Sequence, residues 1–309
     1  MSKQKSNIHD SILELIGDTP LVKLNKINNG VAQVIVKLEY FNPSNSVKDR
    51  AALNMIEKAE QDGRINENTV IIEPTSGNTG VGLALVCAVK GYRFIAVMPE
   101  SMSIERRKMI SAYGADIILT PKEDGMKGSV KKAEQLAKEY GNSFIPMQFS
   151  NISNVESHNK TAEEIFRDTN GKIDIFVAAF GTGGTITGTA KRLKELKPEI
   201  KIVGIEPQES PLVTKGIAAP HGLQGIGANF VPEILDLKII DEIVTISTNE
   251  AIETARNLAK KEGIFCGISS GANVKCALDL AKKEENKNKL IVAMTCDYGE
   301  RYLSTTLVE

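Results

Sequence analysis

The chain of 309 residues carries only four cysteines, Cys87, Cys266, Cys276 and Cys296. No two form a Cys-x-x-Cys pair, and none stands beside a histidine at metal-ligand spacing. That excludes a disulfide framework and a structural zinc site. Cys87 lies in the apolar run 81–88 and reads as core. No stretch of about 18 apolar residues occurs, so no membrane span is expected. Residues 1–7 lead into no apolar signal segment, and a reducing cytoplasm is the expected location. An excess of one charge is also missing. The formal net charge is −1, which gives no overall field to recruit nucleic acid or an anionic membrane. Basic clusters such as Arg106-Arg107-Lys108 and Lys131-Lys132 have acidic neighbours and read as solvated helix faces. No Gly-Lys followed by Ser or Thr is present, which excludes a Walker phosphate loop.

What is present is the composition of a soluble globular protein, 41% hydrophobic and 25% charged. At roughly 150 residues per domain the length suggests two domains. Short apolar strands alternate with amphipathic helices. Strands are expected over 34–38, 70–73, 94–98 and 116–119, and helices over 47–62, 79–90, 103–113 and 129–140. Gly63, Gly91, Gly114 and Gly141 stop these helices. A second set begins at Ile173, with strands over 174–179, 202–205 and 290–294 and helices reaching 196 and spanning 249–262 and 271–283. This rhythm predicts parallel βαβ units with buried strands. The fold class is therefore α/β, with two open sheets meeting near residues 142–160. Between 210 and 232 periodicity fails, and a long irregular segment is usually functional.

Three constellations carry chemistry. Lys48 follows the turn-rich stretch Asn42-Pro43-Ser44-Asn45-Ser46-Val47 and opens a helix. Gly181-Thr182-Gly183-Gly184-Thr185-Ile186-Thr187-Gly188 joins a strand to a helix. Glycines there let backbone amides approach an anion, hydroxyls add donors, and the helix N-terminus adds positive potential, which suits a phosphate. A dinucleotide fingerprint would need glycine where Ile186 stands, although Glu206 imitates its ribose-binding acid. Glu73-Pro74-Thr75-Ser76-Gly77-Asn78-Thr79-Gly80 is a second such junction and suits a carboxylate or a second phosphate. Ser269 and Ser270 read as preceding the helix over 271–283, where helix capping is the simplest role. A lysine, a phosphate cradle and a carboxylate cradle together point to a pyridoxal phosphate (PLP) enzyme acting on an amino acid.

These motifs resemble those of the fold type II PLP enzymes, specifically the cysteine synthase (O-acetylserine sulfhydrylase) group. The likeness covers nearly the whole chain. It includes residues 16–22, 42–50, 73–80, 98–107, 125–128, Gln148-Phe149, 181–188, 224–228 and 299–304. It implies a tryptophan synthase β-like fold with the active site in a cleft. A smaller, mobile N-terminal domain would span 42–152 and a larger one 153–309, joined by strands from 20–41. Lys48 would hold the cofactor as an imine and act as general base and acid. Asn78 would bind the ring oxygen. Gly181, Thr182, Gly183, Gly184 and Thr185 would hold the phosphate. Ser269 would meet the pyridine nitrogen, with Ser270 as the rival. Thr75, Ser76, Gly77, Thr79 and Gln148 would receive the substrate carboxylate.

The implied reaction is β-replacement, O-acetyl-L-serine and sulfide giving L-cysteine and acetate through an α-aminoacrylate intermediate. Related activities are those of cystathionine β-synthases, lanthionine-forming enzymes and cysteine lyases releasing hydrogen sulfide. Ala228-Asn229 after Gly225-Ile226-Gly227 leans toward cysteine synthase. The resemblance also implies a homodimer and a serine acetyltransferase whose C-terminal tail enters the active site. A non-catalytic partner of that enzyme is the reading from a different class. The chain departs from the group's pattern at Ile152 and Val155, which replace prolines, and at 161–165, one residue shorter and without Gly-Pro. Cys296 stands where proline is common.

Overall fold

A computed structural model describes residues 8–309; the stretch 1–7, read above for a signal segment, lies outside the described residues. Two sheets organise the chain. The first strands are β1 (Leu21–Lys23) and β2 (Gln33–Leu38), followed by α1 (Lys48–Gln61), β3 (Val70–Pro74), α2 (Asn78–Lys90) and β4 (Phe94–Pro99). Next come α3 (Ile104–Ala112), β5 (Asp116–Thr120), α4 (Gly125–Tyr140), β6 (Ser143–Phe144), α5 (Ile152–Glu156) and α6 (Asn159–Asp168). The remainder is β7 (Ile175–Ala179), α7 (Gly184–Leu196), β8 (Lys201–Pro207), α8 (Leu212–Lys215), β9 (Glu242–Ile246), α9 (Thr248–Asn257), α10 (Ile268–Lys282) and β10 (Leu290–Thr295).

The smaller sheet has the order β5-β4-β3-β6 and is wholly parallel. The larger has the order β1-β2-β10-β7-β8-β9, parallel except where β1 runs against β2. Central strands β4 and β7 are buried at every position, as continuous apolar runs between two helical layers should be. In each sheet the chain moves one way from one strand and later returns to that strand's other side, in the larger sheet after β1 and β2 have been formed. The strands it starts from are β3 and β7. Open parallel sheets bind ligands beyond the carboxyl ends of strands at such switch points. Both glycine-threonine loops leave from these two strand ends.

Several boundaries differ from the periodic reading. Helix α4 starts at Gly125, four residues before the expected 129, because Gly125 and Gly128 mask its first turn. Helix α10 starts at Ile268 with Gly267 as N-cap, so Ser269 and Ser270 lie inside its first turn and do not cap it. The helix expected over 249–262 ends as α-helix at Asn257 and continues as one π-turn over Leu258–Glu262. Strand β9 and helices α5 and α6 have no counterpart in that reading. The irregular 210–232 stretch contains only the four-residue α8. Cys87 is core, 1% exposed, and all four thiols are free. No helix among the described residues is long and apolar enough to cross a membrane.

Candidate active site

A cavity of about 710 Å³ opens between the two sheets at their carboxyl ends. It is lined by Lys48, by Thr75, Ser76, Gly77, Asn78 and Thr79 after β3, and by Gln148 after β6. From the larger sheet come Gly181, Thr182, Gly183 and Thr185 after β7, and Ser269 from α10. Of the residues expected at the site, only Gly184 does not face the cavity. It packs instead on Asn154, whose Oδ1 would lie 2.2 Å from a Cβ at that position.

Lys48 begins α1, and the loop before it is held rigidly. Asp49 accepts from the Ser44 backbone N–H at 2.6 Å and from the Ser44 hydroxyl. Arg301 donates to the carbonyls of Ser44 and Asn45. Desolvation lowers the amine of Lys48 below its ordinary value, while Asp297 nearby pulls the other way. A lysine so placed is a neutral nucleophile and proton carrier more readily than a surface lysine.

Two residues later, Arg50 is buried between two carboxylates. Its guanidinium donates to Glu39 at 2.7 and 2.9 Å and to Glu164 at 2.8 and 2.7 Å. Lys37 donates to Glu164 at 2.6 Å from the far side. Two cations thus balance two anions without solvent, tying α1 to β2 and α6.

On the opposite wall Thr79 donates its hydroxyl to Gln148 Oε1 at 2.6 Å, so two of the expected carboxylate ligands already touch. Glu73, buried at the end of β3, accepts the backbone N–H groups of Met147 and Gln148 at 2.9 and 3.2 Å. Burial pushes its carboxyl up to about 7 against those bonds. Ser269 faces the cavity. Ser270 is fully buried, and its hydroxyl accepts the Cys296 N–H at 2.8 Å, so the two serines are distinguished by position.

Residues not assigned a role from sequence complete the site. Asp297 lines the cavity, accepting the Asn78 amide at 2.7 Å and the Tyr302 hydroxyl at 2.7 Å. Phe149 and Phe230 meet across the cleft with ring centroids 5.0 Å apart. Glu73 carried a signal in the sequence, an acid closing an apolar strand. Asp297 carried only its place beside Cys296.

Residues 12–297 match the family model described as pyridoxal-phosphate dependent enzyme. The chain belongs to that family. Its cofactor is pyridoxal 5'-phosphate, and the cavity fits that group. A lysine amine lines it, and the Asn78 Oδ1 atom on its wall is buried without a partner among the described residues. A glycine loop opening α7 supplies the anion cradle. The chain is 53% identical to cysteine synthase B of Campylobacter jejuni, over 97% of this chain and 99% of that one. Its fold superposes on the cysteine synthase of Entamoeba histolytica with a TM-score of 0.96 at 45% identity, covering 100% and 93% of the two chains. A hydrogen sulfide-producing enzyme from Fusobacterium nucleatum gives a TM-score of 0.92 at 48% identity, covering 96% and 100%.

Proposed function

We propose that the chain is a cysteine synthase, converting O-acetyl-L-serine and sulfide into L-cysteine and acetate. The observation that carries this reading is one cavity lined by Lys48, the Thr75–Thr79 loop with Gln148, and the glycine loop before α7. When bound, the cofactor withdraws electrons from the substrate's Cα and so permits loss of the β-substituent. Every other task falls to the chain. The loop of Thr75, Ser76, Gly77 and Thr79, with Gln148, binds and orients the substrate carboxylate at the start of α2. Lys48 takes the Cα proton and later returns one, a role suited to a desolvated amine. Asn78 holds the ring oxygen. Gly181, Thr182, Gly183 and Thr185, which line the cavity, hold the phosphate, and Gly184 behind them packs on Asn154. Ser269 meets the pyridine nitrogen as a neutral partner.

The unit 42–152 acts as the mobile domain and closes on 153–309 when substrate binds, excluding water. A homodimer, a cytoplasmic location and a serine acetyltransferase tail seated in the cavity complete the reading. Steady-state rates test it. O-acetylserine with sulfide should outrun cysteine alone and cysteine with homocysteine by orders of magnitude. A dominant rate with cysteine alone would make the chain a sulfide-releasing lyase instead. That second reading draws on the 48% identity with the Fusobacterium enzyme.

A further inference from the structure

The expected phosphate cradle is not self-supporting. Behind it lies the segment from α5 to His158, where this sequence carries Ile152 and Val155 and then a shortened connection. Gly184 and Gly188 stand one turn apart on α7. A Cβ at Gly188 would sit 2.0 Å from the Val155 carbonyl oxygen, and one at Gly184 would sit 2.2 Å from Asn154 Oδ1. These two glycines therefore admit α5 against α7.

The contact places two polar side chains directly behind two threonines. Asn154, 1% exposed, donates its amide to the Gln148 carbonyl at 2.8 Å and to Thr182 Oγ1 at 3.1 Å. A carbonyl oxygen can only accept, so the amide nitrogen must face Gln148. Thr182 Oγ1 also accepts the Gly184 N–H at 3.4 Å. Both of its lone pairs are then used, and its own hydrogen is left for the cavity that Thr182 lines.

His158, fully buried, touches Thr161 Oγ1 through Nδ1 at 3.1 Å and Thr185 Oγ1 through Nε2 at 3.2 Å. Burial, with Arg50 and Lys48 nearby, lowers its ring well below the ordinary histidine value, so the ring is neutral. The Thr161 hydroxyl is fully buried and has no other hydrogen-bond partner among the described residues. Its hydrogen must therefore go to Nδ1, which puts the ring proton on Nε2. That proton is donated to Thr185 Oγ1, and the Thr185 hydrogen is free for an anion.

We infer that Asn154 and His158 are positioning residues of the phosphate site, each loading a threonine oxygen from behind so that its hydroxyl hydrogen points at the phosphate. Asn154 in addition couples that cradle to Gln148 on the carboxylate side. This rests on the phosphate assignment above.

Cofactor-free protein titrated with pyridoxal phosphate tests it, together with the ³¹P resonance of the bound cofactor. Asn154→Ala and His158→Phe should each weaken cofactor affinity about tenfold or more and move that resonance. His158→Gln, which can still donate an N–H, should recover most of the affinity. Asn154→Ala should also raise KM for the amino-acid substrate with kcat nearly constant, whereas His158→Phe should leave KM alone. If His158→Phe does not fold, Thr161→Val serves, since it frees Nδ1 while leaving the imidazole in place, and affinity should again fall. Folded variants that bind the cofactor within twofold of the parent, with unchanged resonances, overturn the inference. Parent protein that takes up no cofactor overturns the functional reading and this inference with it.

Discussion

Asn78 donates its side-chain amide to Asp297 Oδ2 at 2.7 Å, across 219 residues of sequence. One residue opens α2 below the smaller sheet, and the other follows β10 of the larger sheet. The bond therefore spans the cleft, and both residues line the cavity. Asp297 also accepts the Tyr302 hydroxyl, and burial first, then that carboxylate, drives the phenol well above its usual range. Asp297→Ala strands both donors. The expected cost is about 2–3 kcal/mol in a urea titration, with weaker cofactor binding because Asn78 loses its orientation. An unchanged midpoint and unchanged cofactor affinity would show the bond to be incidental.

The lowered amine of Lys48 has a consequence independent of turnover. Borohydride reduction of cofactor-loaded protein should fix the cofactor on the peptide containing Lys48, and Lys48→Ala should retain none. Turnover of that variant should fall on the order of 10³-fold. In cofactor-free protein the rate of covalent capture should rise with pH and level off below 10.5, the ordinary lysine value. A plateau reached only at 10.5 would mean that the amine is not desolvated.

Much of this was legible because parallel βαβ units print themselves locally. Apolar runs such as 94–98, glycine stops such as Gly91 and the two glycine-threonine loops need no partner to be read. What escaped depends on distant partners. Strand β9 is half-buried along most of its length, so its apolar pattern is weak. Helix α5 has five residues, too few for a period to show. Ser269 and Ser270 looked like caps because Gly267, the true N-cap, sits before an ordinary isoleucine. Glu73 gains its meaning from donors 74 and 75 residues away, and Asp297 gains its link across the cleft from a donor 219 residues away.

The ion cluster around Arg50 should behave as a unit. Among the described residues, Glu164→Ala removes the only carboxylate paired with Lys37 and one of the two paired with Arg50, leaving buried positive charge. Destabilisation of about 3–5 kcal/mol at neutral pH is expected from chemical denaturation. Burial pushes the Glu164 carboxyl up, but Arg50 and Lys37 override it and hold the group down to about 2. A depressed carboxylate stabilises the fold above its ordinary value of 4.5 and loses that contribution as pH falls toward 2. The parent should therefore lose stability through this window, and Glu164→Ala should lose less. Equal slopes in the two proteins would argue that the charges are solvated after all.

Glu73 should act with the opposite sign. Its carboxyl is raised from 4.5 to about 7 by burial. A raised carboxyl leaves the fold most stable below the unfolded value, with stability lost as pH climbs from 4.5 through about 7. Full ionisation costs about 1.4 kcal/mol for each unit of displacement. Glu73→Gln should abolish this slope and leave the variant comparatively stable above pH 7. It should do so at the expense of the site. Glutamine offers one acceptor oxygen where two N–H groups, those of Met147 and Gln148, now find one each. Met147 is held at φ 56, a conformation that a side chain of its kind adopts only when anchored. Loss of one bond should loosen Gln148 and raise KM for the amino-acid substrate severalfold, with kcat less affected. Protonation of Glu73 in the parent removes the same acceptor, so KM should also rise as pH drops below about 7. A flat KM–pH profile in the parent, paired with a normal KM in Glu73→Gln, would detach Glu73 from substrate binding and leave it a purely structural acid.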